Sequence, residues 1–132
     1  MSRERALKIV LVLVGLLFSA GIYPLTMDLW RTKQAEIGPM MLSLYVTLGI
    51  FLMLATRNPS ANRSLIGFAA WSSFAHAAVM AVQALRDVNE RGHLLGGVAM
   101  FGVIGVALIA LAPAKQSVER VSAAGVAAPH SA

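Results

Sequence analysis

The histidine at position 76 is the residue of this chain best suited to chemistry. It lies near the middle of an apolar stretch from Ser64 to Leu85, and it is the only acidic, basic or histidine side chain placed deep inside any apolar segment. A charged group at that depth of a bilayer costs about 3 kcal/mol, so we expect the imidazole of His76 to be neutral or paired. Its candidate roles are to ligate a metal or haem, to relay protons, or to contact a quinone-like head group.

Further polar side chains share the helical face of His76. Ser72, Ser73, Met80 and Gln83 lie three, four or seven residues away from it, which on a helix makes one polar stripe. Such a stripe should face other helices or a cavity rather than lipid. Trp71 is a further candidate for lining a pocket between helices. The candidate cofactor-binding or ligand-binding residues are His76, Ser72, Ser73, Met80 and Trp71.

Each of these residues also has a purely structural interpretation. The imidazole of His76 could donate a hydrogen bond to a hydroxyl or carbonyl on a neighbouring helix, which contributes about 1 kcal/mol. Ser72 and Ser73 could bond back to carbonyls of their own helix, and Met80 could simply pack. No metal and no cofactor is predicted. No second histidine or carboxylate lies three or four residues from His76, and His93 should lie about 12–15 Å away in depth.

The composition indicates an integral membrane protein. Of the 132 residues, 58% are apolar and 13% are charged, and the mean hydropathy is +0.72. A soluble domain has about a quarter of its residues charged. The net charge of +5 comes from basic residues that flank apolar runs, a distribution that predicts a membrane topology and no nucleic-acid partner. Cysteine is absent, which excludes disulfides and thiolate ligands.

Four apolar segments are long enough to cross a bilayer. Pro24 is expected to end the first, Pro39 opens the second, and Pro113 stops the fourth. The predicted spans are 6–23, 39–56, 64–85 and 94–111. Because only helices and closed barrels satisfy their backbones in lipid, we predict an all-α fold: a four-transmembrane-helix antiparallel up-down bundle over 1–113, followed by a disordered cytoplasmic tail over 114–132.

The basic residues also predict an orientation. The N-terminus, the 57–63 link and the tail hold seven lysines and arginines, whereas the other two connections hold four. The positive-inside rule therefore places both termini in the cytoplasm. The first apolar run also has the basic start and small residues of a signal peptide, an alternative that the remaining apolar runs disfavour. A short interfacial helix is expected in the first connection, between Leu25 and Gly38.

Helix packing is predicted from small and polar residues. The pairs Gly15–Ser19 and Gly92–Gly96 have the spacing of close helix contacts, either within the bundle or in a homodimer. The residues expected in the interior, together with several glycines of the fourth span, are Ser43, Thr47, Trp71, Ser72, His76 and Met80.

Several short motifs together resemble a known family. They are Tyr23-Pro24-Leu25, the run from Met40 to Gly49, Arg57-Asn58-Pro59 with Asn62-Arg63-Ser64, and Trp71-Ser72-Ser73 with His76-Ala77. In these motifs, between about Leu7 and Ala112, the chain resembles a bacterial family of small four-span membrane proteins of unknown function. It is more loosely similar to DoxX-like proteins in topology. The resemblance implies a multi-pass protein of the bacterial inner (plasma) membrane, and it implies no activity.

No enzymatic function is predicted. The chain has no phosphate-cradling glycine loop, no His-Glu-x-x-His, no paired intramembrane carboxylates and no serine triad. The first span also lacks the glutamate of small multidrug transporters. We expect a non-enzymatic accessory or scaffolding protein, or a self-associating bundle, whose partners are the lipid bilayer and a homo-oligomer or larger membrane complex. One alternative is a binder of a haem-like or quinone-like molecule that uses His76. A second is a small transporter formed by dimerisation.

Overall fold

A computed structural model describes residues 2–31 and 37–114, and every regular element in these ranges is an α-helix. The helices are α1 (Arg3–Ser19), α2 (Ile22–Arg31), α3 (Ile37–Ala55), α4 (Arg63–Arg86) and α5 (Arg91–Leu111). Four segments of this part of the chain are long and apolar enough to cross a membrane: Arg3–Met27, Gly38–Ala55, Arg63–Arg86 and Arg91–Leu111. The predicted all-α fold is confirmed. The predicted disordered tail, apart from Ala114, lies outside the described residues, as do residues 32–36 of the first connection.

The prediction that Pro24 ends the first helix was wrong. The α1 helix ends at Ser19, and α2 begins at Ile22 after a turn at Ala20 and Gly21. Pro24 lies in the first turn of α2, where its missing amide hydrogen would have had no intrahelical partner. A short helix was predicted between Leu25 and Gly38, and the observed helix begins earlier, at Ile22.

Glycines bring α1 and α3 into close contact. A Cβ atom added at Gly49 would lie 2.7 Å from the carbonyl oxygen of Gly15 and 2.7 Å from the amide nitrogen of Ser19. One predicted small-residue pair, Gly15–Ser19, thus serves a contact inside the chain. The other pair, Gly92–Gly96, has no neighbour among the described residues within 4 Å of either added Cβ.

The α4 and α5 helices form the second closely packed pair. The side chain of Met80 occupies the space beside Gly97, and the ring of Phe74 lies 2.8 Å from a Cβ added at Gly105. The α1 helix packs on α3 and, less extensively, on α5, whereas the contact between α3 and α4 is slight. All four long helices contribute to the core, and its fully buried larger side chains are Leu11, Leu52, Ile66, Ser73 and Leu108. The seam between α3 and α4 stays open.

Polar contacts join the ends of the helices. The guanidinium of Arg3 donates to the carbonyl oxygens of Ala110, at 3.0 Å, and Ala112, at 3.1 Å, where α5 ends. This places a positive charge at a helix C-terminus, where the helix dipole favours it. At the start of α5, Nε of Arg91 donates to the carbonyl oxygen of Ala84 at 2.9 Å. These bonds tie α5 to α1 at one end and to α4 at the other.

Three of the residues predicted for the interior do not lie there. Trp71 is 67% exposed and packs edge-on against Phe74 of its own helix, with ring centroids 5.8 Å apart. Ser43 and Thr47 are also exposed. Their hydroxyls donate to carbonyls one turn back, at 2.7 Å to Met40 and 2.9 Å from Thr47 to Ser43. A hydroxyl satisfied on its own helix can face lipid, which is why the prediction failed. Of the α5 glycines, Gly97 and Gly105 contact α4, but Gly96 and Gly102 do not.

Candidate functional site

One ring from each of the four long helices contributes to a single aromatic cluster, which consists of Phe18, Tyr45, His76 and Phe101. The imidazole centroid of His76 lies 4.4 Å from that of Phe101 and 5.3 Å from that of Tyr45. Phe18 lies 5.0 Å from Tyr45 in an edge-to-face arrangement. These spacings are those of favourable aromatic contacts. The cluster therefore links α1, α3, α4 and α5 at one level.

The glycine contacts position this aromatic cluster. A Cβ added at Gly49 would lie 2.8 Å from the Cβ of Phe18, so the close approach of α1 and α3 sets Phe18 beside Tyr45. Phe101 lies one turn after Gly97, where α5 packs closely on α4. Small residues at the crossings thus allow large rings to meet between them.

A cavity of about 450 Å³ opens beside the aromatic cluster, and we call it the central cavity. Its volume falls within the range of about 300–1,000 Å³ that is typical of small-molecule sites. The lining residues are Leu17, Phe18, Gly21, Gly38, Met41, Leu42, Tyr45, His76, Met100 and Phe101. The imidazole of His76 and the phenol of Tyr45 are the polar side-chain groups in this lining.

Neither polar group of the central cavity forms a side-chain hydrogen bond with the part of the chain that the structure describes. The side-chain hydrogen bonds formed within 2–31 and 37–114 include none from the imidazole of His76 or the hydroxyl of Tyr45. The structural alternative for His76, a hydrogen bond to a neighbouring helix, stays a prediction, because no such bond forms within the described ranges. Both residues are half-buried, and both keep hydrogen-bonding capacity for a bound molecule.

A second cavity, also of about 450 Å³, lies along the open seam between α3 and α4, and we call it the lateral groove. It is lined by Met41, Leu44, Tyr45, Thr47, Leu48, Phe51, Leu65, Phe68 and Ser72. Met41 and Tyr45 line both the lateral groove and the central cavity. The two spaces are therefore neighbours that share part of their walls.

The structure separates the candidate binding residues that the sequence had grouped. His76 lines the central cavity, and Ser72 lines the lateral groove. Ser73 is fully buried, and its hydroxyl donates to the carbonyl oxygen of Ala69 at 2.7 Å. Ser72 donates to the same oxygen at 3.1 Å, as the structural alternative predicted. The remaining two line neither space: Met80 packs against Gly97, and Trp71 is exposed.

Sequence reasoning missed three members of the cluster: Phe18, Tyr45 and Phe101. An aromatic residue within an apolar helix carries no sign of whether it faces lipid or the interior. The one available signal was the four-residue spacing of Tyr45 and Gly49, which places Tyr45 next to a close helix contact on the same face.

Within the described ranges there is no group of three or more histidine, aspartate or glutamate residues that could hold a metal ion. A polar cavity of about 410 Å³ lies at the opposite end of the bundle, lined by Asn58, Ser60, Ala61, Arg63 and Ala114.

Comparison with known proteins gives one match. A family model covers residues 2–127. The chain belongs to the DUF6632 family, a family of unknown function. No curated protein and no solved structure matches the chain. The resemblance to a family of unknown function with four membrane-type helices is confirmed, while the likeness to DoxX-like proteins and the bacterial origin stay predictions.

Proposed function

We propose that this DUF6632 protein is a non-enzymatic membrane module that holds the polar head of a small lipophilic molecule in its central cavity. The observation that carries the proposal is the cavity beside His76, where two polar groups that form no hydrogen bond with the described residues line an otherwise apolar space. A cavity of this kind favours the ligand-binding alternative over a purely scaffolding role, because a bundle that served only as a scaffold would gain from filling it.

The proposal includes a topology. The chain forms an up-down antiparallel four-helix bundle in the plasma membrane, with both termini in the cytoplasm. Two arguments support this. The bonds from Arg3 to Ala110 and Ala112 join the start of α1 to the end of α5. The excess of basic residues also lies at the termini and in the 57–63 link, as the positive-inside rule requires of a cytoplasmic face.

The chemistry of the cavity limits the head group. A ligand there can pair with the imidazole of His76 and the hydroxyl of Tyr45, each of which can donate or accept a hydrogen bond. Phe18 and Phe101 offer ring faces and edges to a flat molecule. A planar head with one or two hydrogen-bonding oxygens satisfies both requirements. A haem iron held by two histidines finds no second histidine in this cavity.

The protein purified in mild detergent tests the proposal. Bound molecules are extracted and identified by mass spectrometry from the wild type, from His76→Ala, and from His93→Ala. His93 is the matched control, because it is an exposed histidine in the first turn of α5. We expect a co-purifying lipophilic molecule that His76→Ala loses and His93→Ala keeps. Equal content in all three preparations would refute the proposal.

Self-association is a second candidate that one observation favours. Gly92 and Gly96 lie on exposed positions of α5, and a Cβ added at either meets no described atom within 4 Å. Such a pair suits close approach of a second helix. Native mass on the same sample tests this, and a mass of one chain in the wild type would exclude a stable homo-oligomer. Transport by a dimer draws less support, because the walls of the lateral groove are almost wholly apolar.

A further inference from the structure

We infer that the lateral groove holds the single hydrocarbon tail of a ligand whose ring-shaped head lies in the central cavity. This inference rests on the proposed function and adds the chemical class of the ligand: an alkylated phenol or quinone. It also assigns the groove between α3 and α4 as the route by which the molecule enters from the bilayer.

The lateral groove and the central cavity lie next to each other. Met41 and Tyr45 each line both spaces, so a molecule that contacts Tyr45 from the groove is already at the wall of the central cavity. The ring of Tyr45 is 5.3 Å from that of His76, centroid to centroid. A head group beside His76 therefore has its attached tail within reach of the groove.

The walls of the groove are almost wholly apolar. Besides Tyr45, which also lines the central cavity, the groove is lined by two residues with hydroxyls, Thr47 and Ser72, and both donate to carbonyls of their own helices. The remaining lining is aliphatic and aromatic, and Leu44 and Phe68 are 65% and 63% exposed. Such walls offer dispersion contacts without a demand for hydrogen bonds, which suits a hydrocarbon chain.

Both helices that form the groove are candidate spans, so acyl chains surround the groove in a bilayer. A second copy of the chain could cover the outer edge of the groove, but it would not join the groove to the central cavity, which shares the residue Tyr45 with it. One flexible chain can follow the groove past Tyr45 to the central cavity. One groove also fits one tail rather than two.

Two probes of different tail length test the inference in lipid nanodiscs. They are 4-dodecylphenol, which has a tail, and 4-ethylphenol, which has almost none. Leu44→Trp narrows the groove, and Ile50→Trp is the matched control, since Ile50 is exposed on the same helix and lines neither space. Because each probe is compared between variants, its partitioning into lipid cancels.

We expect Leu44→Trp to weaken 4-dodecylphenol binding about tenfold, the scale of overpacking a filled site, and to leave 4-ethylphenol binding unchanged. Ile50→Trp should change neither. An equal loss of 4-dodecylphenol binding in Leu44→Trp and Ile50→Trp, or no loss of that binding in either variant, would overturn the inference. So would a native dimer that Leu44→Trp converts to a monomer without affecting either probe, because a second copy would then occupy the groove.

The proposed function can fail separately. If His76→Ala binds both probes as the wild type does, the central cavity does not hold the head. If 4-ethylphenol binding depends on His76 while tail length and Leu44→Trp have no effect, only the groove assignment fails. If Leu44→Trp misfolds and binds neither probe, Phe68→Ala serves as the second variant, because it removes part of the groove wall. Unchanged binding of 4-dodecylphenol by Phe68→Ala would refute the inference.

Discussion

Replacing Gly49 with alanine should separate the two most closely packed helices of the first half of the chain. A Cβ there would lie 2.7 Å from the carbonyl oxygen of Gly15, 2.7 Å from the amide nitrogen of Ser19 and 2.8 Å from the Cβ of Phe18. Two of these neighbours are backbone atoms, so no side-chain rotation relieves the contact. To restore an ordinary contact of 3.4 Å from 2.7 Å, α1 and α3 must move apart by about 0.7 Å.

The cost of this movement follows from packing. Inserting a methyl group into a filled interior typically costs about 1–3 kcal/mol, and here the penalty extends along the contact between α1 and α3. Alanine is also intrinsically a better helix former than glycine by about 0.8–1.0 kcal/mol in a soluble helix, which opposes the penalty. The appropriate control is therefore another glycine-to-alanine change on a helix. At Gly102 an added Cβ meets no described atom within 4 Å.

The free energy of unfolding in mixed detergent and SDS measures the difference. We expect Gly49→Ala to be less stable than Gly102→Ala by about 1–3 kcal/mol. Gly49→Ala should also weaken 4-ethylphenol binding, because Phe18 moves with α1 and the Phe18–Tyr45 ring distance of 5.0 Å increases. Equal stability of the two variants would show that the helices are not in close contact at Gly49.

Two further predictions concern hydrogen bonds. Arg3→Ala should lower the free energy of unfolding by about 1 kcal/mol, because the last carbonyls of α5 lose their donor and the helix dipole loses its counter-charge. Arg5→Ala, whose side chain forms no hydrogen bond within the described residues, is the control and should leave stability unchanged in the same assay. Ser73→Ala should cost about 0.5 kcal/mol or less, because the buried hydroxyl bonds only within its own helix. A loss above about 2 kcal/mol would show that this hydroxyl has a partner on another helix.

The positions of the long helices could be predicted from the sequence because hydropathy marks the apolar runs and prolines mark several of their ends. The span predicted at 64–85 is helical from Arg63 to Arg86, and the one predicted at 39–56 is helical from Ile37 to Ala55. The end of the first helix was harder to predict, because proline can either end a helix or occupy its first turn. Hydropathy does not distinguish these two roles at Pro24.

Which face of each helix points inward could not be predicted in the same way. In a membrane protein both the interior and the lipid-facing surface are apolar, so the usual alternation of polar and apolar faces is weak. Trp71 was predicted to lie in the interior, yet it faces outward, while Phe101 was overlooked and is buried. His76 was found because it is a rare titratable group at that depth. The rings around it have no such signature.

Close packing is confined to two helix pairs, α1 with α3 and α4 with α5, and the seam between α3 and α4 is loosely packed. Gly15 with Gly49, and Gly97 with Met80, fix α1 on α3 and α4 on α5, but nothing comparable fixes α3 on α4. Tyr45 takes part in both regions: its ring packs against Phe18 at the contact between α1 and α3, and it also lines the groove between α3 and α4. A ligand entering by the groove therefore needs only the α3–α4 seam to yield. Substitutions in that seam should alter binding with little effect on stability, whereas Gly49→Ala should alter both.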